Sequence, residues 1–326
     1  MHRQSEPSWN LKNLVMTRRT IMNAVRKIFA GALCVVTLAS MAACGGSSDP
    51  LGSDKPSAGG SGSAIVIGSA DFAESQLVAT IYSHALKKAG ADVKEKLNIG
   101  SREVYMDALK DGSIDLIPEY SGTLLSYLDK SSSETDPGKI VDALNAKLPD
   151  GIVALNASEA EDTDVIAVTK KFSEGNGVTK ISDLKKIESQ VVLGGPSEWK
   201  ERYVGVLGLE KVYGLKFKDF QVLDAGGPLT LSALKGGQVQ AGDMFSSDPS
   251  IEDSELVALK DDKQLFAPAQ VLPIVRKSKL TDKGKEALNK VSAKLTTDGL
   301  ISMNRKVNAG DDIGKVADGW LSQQGL

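Results

Sequence analysis

One pattern in this chain is written twice, about 125 residues apart, and it limits the fold more than any other feature. "AIVIGSADFAESQLVATIYSHALKKAG", from Ala64, reads as a short apolar strand, a glycine-containing loop and an amphipathic helix over Gln76 to Lys88. "VVLGGPSEWKERYVGVLGLEKVYG" repeats that order, so Phe72 and Glu74 correspond to Trp199 and Glu201. A second pair of segments, "GSREVYMDALKDGSIDLIPEYSG" and "DAGGPLTLSALKGGQVQAGDMFSSD", aligns through Ala108-Leu109-Lys110 and Ala233-Leu234-Lys235. In that register Gly112 meets Gly237, Ile114 meets Val239 and Tyr120 meets Phe245. The first copy predicts a strand to Ile99, a helix from Arg102 to Lys110 and a strand from Ile114 to Ile117. Strands alternating with helices predict an α/β protein with parallel or mixed sheets.

Two related α/β lobes present their strand ends to a shared cleft, where open sheets of this kind bind ligands. Tyr120 and Phe245, equivalent and each followed by serine, are then expected as opposite walls of one pocket. The plainer alternative makes both of them packing residues at strand ends. After Phe266 an apolar strand and further helices return the chain to the first lobe. The chain is thus expected to cross between lobes near Thr163 to Val165 and again near Pro268 to Val271. Residues 64–163 and 269–326 would form lobe 1, and residues 164–268 lobe 2. Two crossings make a hinge that permits closure around a ligand.

Composition fits such a globule. At 41% hydrophobic and 25% charged, the 326-residue chain has the apolar content for two cores. Arg18, Arg19, Arg26 and Lys27, then an apolar run from Ile28 to Ala39 and small residues, have the order of a secretory signal over residues 1–43. The apolar run is short for a membrane span. "MAAC" resembles a lipobox, with Met41 where leucine is usual, which implies a lipidated Cys44 at the mature N-terminus. Soluble secretion with a free Cys44 is the alternative. Residues 44–63 are Gly/Ser-rich and predict a flexible tether.

Cleavage before Cys44 leaves one cysteine and one histidine, His84, too few for a disulfide framework or a zinc site, so no metal or cofactor is expected. It also leaves 33 Lys/Arg against 41 Asp/Glu, a net charge of −8 that argues against nucleic acid.

"IGSADFAES", "IGSREVYMDALKDGSIDLIPEYSGT", "GGPSEWKERYVGVLGLEKVYG", "SALKGGQVQAGDMFSSDPSI" and "LKDDKQLFAPAQVLPIVR" together make residues 65–321 resemble the substrate-binding proteins of osmoprotectant ABC importers. The resemblance implies a two-lobed periplasmic-binding-protein-like (type II) fold with two hinge crossings. It also implies a ligand such as glycine betaine, choline or carnitine. Further implications are a permease and ATPase as partners, a monomeric receptor, no enzymatic activity, and a lipid-held position on the outer face of the cell membrane.

A quaternary ammonium donates no strong hydrogen bond, so it is held by aromatic faces, each contact contributing roughly 0.5–2 kcal/mol. A ligand carboxylate is held by cationic and hydroxyl donors. Carried over from the family, Tyr120 stands at a cage tyrosine, Thr123 at a carboxylate-binding hydroxyl and Arg202 at a carboxylate-binding arginine. Ala70 stands where a lysine is usual, Asp164 and Ala269 where cage tyrosines are usual, and Phe245 keeps a ring without its hydroxyl.

Asp164 has two readings, a direct partner for a cation or a solvated hinge residue. Phe72 and Trp199 also have two, replacement rings or core plugs beneath their loops. Gln270, with a donor and an acceptor, suits a ligand with polar edges, including a larger aromatic or imidazole betaine. Ser69 and Ser121 complete the candidate set. A ligand sensor is a further possibility, and a hydrolase a weaker one, resting on His84, on Ser247-Asp248 or on Glu74 with Glu201. The position of those two glutamates in first helical turns is explained by the helix dipole and by capping.

Overall fold

The computed structural model describes residues 64–326; the signal-like segment, Cys44 and the tether lie outside the described residues. The chain opens with strand β1 (Ile65–Gly68), helix α1 (Ala73–Lys88), strand β2 (Val93–Lys96) and helix α2 (Arg102–Asp111). Strand β3 (Leu116–Tyr120) follows, then helices α3 (Ser121–Leu128) and α4 (Pro137–Lys147) and strand β4 (Ile152–Ala154). β1 lies between β2 and β3, parallel to both. Helix α1 buries Leu77, Val78, Ile81, Tyr82, Ala85 and Leu86, so it is a core helix covered on most sides.

The second half contains strand β5 (Asp164–Thr169), helix α5 (Lys170–Asn176), strand β6 (Val192–Gly195), helix α6 (Val206–Tyr213) and strand β7 (Asp219–Val222). Helix α7 (Pro228–Lys235), strand β8 (Ala241–Phe245), helix α8 (Ser250–Asp253) and strand β9 (Leu256–Ala258) complete it. The chain then returns through strand β10 (Val271–Arg276) and ends in helices α9 (Asp282–Ser292), α10 (Thr297–Asn308) and α11 (Ile313–Gln323). Thr281, Thr296 and Asp312 cap these three helices, each side chain accepting a first-turn N–H.

The two sheets have one design. Their strand orders are β2-β1-β3-β10-β4 and β7-β6-β8-β5-β9. In each, three parallel strands are followed by an antiparallel one, β10 or β5, that adjoins an interlobe crossing. The repeat seen in the sequence is therefore a repeat of topology. Gly112 and Gly237 occupy the same left-handed turn, at φ 84° and 71°, on the way into β3 and β8.

Three element boundaries differ from expectation. β2 ends at Lys96 because Asn98 and Gly100 turn the chain with φ of 56° and 137°. Helix α1 begins at Ala73, which places Glu74 and Ser75 inside it. β3 runs through Pro118 to Tyr120 instead of stopping at Ile117. Pro118 faces Pro273 of β10, and two prolines can face each other in an antiparallel ladder only at a pair that exchanges no N–H bonds.

The crossings run side by side. Ser158 N–H donates to Val271 O, Val271 N–H to Ala160 O and Asp162 N–H to Ala269 O, and Glu161 bridges to Gln270. The start of α3 is tied to the second crossing, with Ser121 N–H donating to Gln270 O and Gln270 N–H to Ser121 Oγ. Gly122 permits that approach, because a Cβ there would lie 2.3 Å from Pro268 O. Gly122→Ala is expected to lower stability by about 1–3 kcal/mol, the range for forcing extra atoms into packed backbone, measured by chemical denaturation.

Candidate functional site

Tyr120 is the last residue of β3 and Phe245 the last of β8, and both line one cavity between the lobes. Phe72, in the loop after β1, stands between them. Its ring centroid is 6.0 Å from Tyr120 and 5.1 Å from Phe245, at interplanar angles of 34° and 39°. Such tilted contacts suit aromatic quadrupoles. The two expected walls are thus joined by a third ring.

Carboxyl groups form most of the remaining wall. Asp164 pairs directly with Phe245 across β5 and β8, and Asp243 lies two residues earlier on β8, on the same sheet face. Asp164 and Asp243 adjoin, and burial raises both above the usual carboxylate range, Asp243 well above it. A second acid then raises Asp243 further, because two adjoining carboxylates cannot both ionise freely. Asp162 is likewise pushed well up by burial, with Glu74 adding to it.

Two guanidiniums also reach the cavity, each already gripped. Arg102 makes a fork on Glu119, both bonds 2.9 Å, and Tyr105 donates to the same carboxylate at 2.8 Å. Arg202 makes a fork on Glu103 at 3.1 and 2.8 Å, with Glu198 3.8 Å away. Glu103 belongs to the first lobe and Arg202 to the second, so this pair bridges the cleft. Burial opposes the Glu103 charge, but the Arg202 fork outweighs it and holds the carboxyl at about 2.

A second bridge centres on Glu74. Tyr120 donates its phenolic O–H to Oε1 at 2.8 Å, while Ser247 Oγ and Asn304 Nδ2 donate to Oε2. Burial still raises the Glu74 carboxyl. Its place in a first helical turn is secondary to this network, which the dipole and capping explanation missed. Glu201, its repeat equivalent, is exposed.

The structure brings Tyr120, Thr123, Phe245, Phe72, Asp164 and Arg202 to the cavity. It places four other candidates elsewhere. Ser69 accepts Asn98 N–H, Ser121 accepts Gln270 N–H, and the backbone of Gln270 is held in the crossing ribbon. Trp199, 1% exposed, stacks on Phe266 at 6.5 Å in the second lobe's core. Phe72 and Trp199 therefore part company, one a cavity ring and the other a core plug. Asp164 is buried, not solvated.

Arg102, Tyr105, Asp162 and Asp243 also line the cavity without having been singled out from the sequence. Asp243 was legible from period-two alternation with Phe245; Asp162 lies in an irregular crossing that carries no such signal. The catalytic candidates do not assemble. His84 Nδ1 lies 2.7 Å from Asp318, while Ser247 is engaged with Glu74. Among the described residues, no group of three or more His, Cys, Asp or Glu is placed to hold a metal ion, and no helix is long and apolar enough to cross a membrane.

A ring-lined cavity between two sheets of one design, joined by a double crossing, defines a two-lobed solute-binding protein of the type II periplasmic class. A family model for the substrate binding domain of ABC-type glycine betaine transport system matches residues 63–323, and the chain belongs to that family. A glycine-betaine-binding protein of Pseudomonas aeruginosa is 30% identical over 225 residues, 65% of this chain and 71% of that one. The carnitine transport binding protein OpuCC of Listeria monocytogenes is 28% identical over 257 residues, 76% of this chain and 83% of that one. A crystal structure of a glycine betaine/carnitine/choline ABC transporter protein is similar at a TM-score of 0.63 and 25% identity, over 79% of this chain and 98% of that one.

The Glu103–Arg202 bridge gives a pH dependence. The folded-state value of Glu103 lies below its ordinary 4.5, so its stabilisation is present above that value and is lost as pH falls toward about 2. Glu103 is 42% exposed, so solvent screening limits the effect to about 1 kcal/mol or less. Wild type is expected to exceed Glu103→Gln in thermal stability at neutral pH. That difference should vanish near the acid end of the titration in paired melts.

Proposed function

We propose that this chain is the extracytoplasmic receptor of an ABC importer. It takes a small methylated-ammonium solute between its lobes and presents it to a membrane permease and its ATPase. One observation carries the reading: rings from both lobes, Phe72, Tyr120 and Phe245, surround a cavity whose other walls are rich in carboxyl groups. That is the chemistry a cation without strong hydrogen-bond donors requires. Relatives named for glycine betaine and carnitine support the same substrate class.

In this reading Phe72, Tyr120 and Phe245 contact the cation's methyl groups. Thr123 and Asp164 contribute polar edges, and the crossings near Thr163 to Val165 and Pro268 to Val271 act as the hinge. The receptor works as a monomer. The order of basic, apolar and small residues before Cys44 supports a lipid anchor, with the Gly/Ser-rich stretch after it as tether.

The test is a thermal-shift and calorimetric panel of choline, glycine betaine and carnitine, since a ligand that binds only native protein raises its melting temperature. Phe72→Ala and Phe245→Ala are each expected to weaken binding by about 1–2 kcal/mol, the value of a desolvated cation–π contact. Trp199→Ala is expected to cost about 3–5 kcal/mol of stability through its cavity, without discriminating between ligands. A Phe245→Ala protein with the wild-type shift for every compound would refute the assignment.

A further inference from the structure

Resting on that reading, the charges of the cavity define the ligand more narrowly. Arg102 is forked onto Glu119 and Arg202 onto Glu103, so both guanidiniums that reach the cavity already hold carboxylates. No lysine lines it. A ligand carboxylate would have to displace Glu103 from Arg202, breaking a bridge between the lobes at the moment of closure. Such a ligand gains one charge-assisted pair and loses another.

The carboxyl pair points to the opposite preference. Asp164 and Asp243 adjoin on one face of the second sheet, and burial raises both carboxyl groups. Oδ1 of Asp243 has no hydrogen-bond partner among the described residues, although the residue is 1% exposed and lines the cavity. A buried acceptor of this kind is costly until a donor meets it. A fully methylated ammonium has no N–H to offer, and the three rings satisfy only its methyl groups.

We propose that the site prefers an organic cation that lacks a carboxylate and keeps at least one N–H, methyl groups against Phe72, Tyr120 and Phe245 and the N–H directed to Asp243. A protonated tertiary amine is the simplest such ligand.

Choline and N,N-dimethylethanolamine, which is protonated at neutral pH, isolate the feature, because they differ only in one methyl replaced by N–H. Calorimetry on the purified protein is expected to give at least about tenfold tighter binding of the tertiary amine, the worth of one charge-assisted hydrogen bond, with glycine betaine weaker than either. Asp243→Leu, which keeps the side chain's branched shape but has no acceptor, is expected to bring the tertiary amine within about threefold of choline. Wild-type binding of choline or glycine betaine as tight as that of the amine would overturn the inference and leave the proposed function standing. So would an Asp243→Leu protein that keeps the preference. Failure of every methylated amine and betaine to bind would overturn both.

Discussion

Keeping carboxyl groups out of water is the constraint that organises this cleft. Glu74, Asp162, Asp164 and Asp243 are all buried between the lobes, where an isolated ionised acid costs several kcal/mol. Glu74 and Asp162 are made tolerable by hydrogen-bond donors, several of them from across the cleft. Ser247 of the second lobe gives its hydroxyl to Glu74 and its N–H to Asp162, and Asn304 reaches the same group from α10. On the proposed reading, water takes over these roles when the lobes part. Closing exchanges hydration for directed bonds, a balance small enough for one bound solute to tip, because a ligand shifts such an equilibrium by its differential affinity for the two states.

The duplication explains where these groups sit, and its asymmetry explains what they do. Tyr120 and Phe245 end equivalent strands, and their antiparallel partners in the two sheets are Val271 and Asp164. The first lobe thus contributes a ring whose hydroxyl is committed to Glu74. The second contributes a bare ring beside an acid. At the loop after the first strand of each unit, Phe72 enters the cavity while Trp199 turns into the core beneath. Gly195, whose Cβ would lie 3.3 Å from the Trp199 ring, shows how closely the second loop wraps its aromatic. One scaffold has been filled in two ways.

Much of this was legible in residue order. The repeat gave the alternation of strands and helices, the two crossings and the equivalence of Tyr120 with Phe245, because period and glycine placement are local properties. What escaped was set by contacts between distant segments. Pro118 looked like a strand terminator until Pro273 faced it across the ladder. Glu74 had an adequate local explanation in its helix turn, and only tertiary structure brings Ser247 and Asn304, 173 and 230 residues away, onto its carboxylate. Arg202, assigned to a ligand carboxylate through family position, does line the cavity, and the tertiary fold adds a partner the sequence did not show, Glu103, 99 residues earlier. Ser69 and Ser121 lie next to cavity residues in sequence, but their hydroxyls are spent on loop and crossing geometry, as is the backbone of Gln270.

A cage of three rings where four are usual need not be a weaker trap. Cation–π contacts contribute modestly and act at short range, so they shape the site and choose among methylated surfaces. A buried carboxyl pair acts through space, and low local dielectric strengthens it while salt screens it little. On the proposed reading the two kinds of group divide the labour. Phe72, Tyr120 and Phe245 fix the outline of the solute, and Asp164 with Asp243 fix the sign of its charge. Replacing a cage tyrosine by Asp164 then exchanges a ring face for a full charge, and moves selectivity from methyl count toward hydrogen-bond donors.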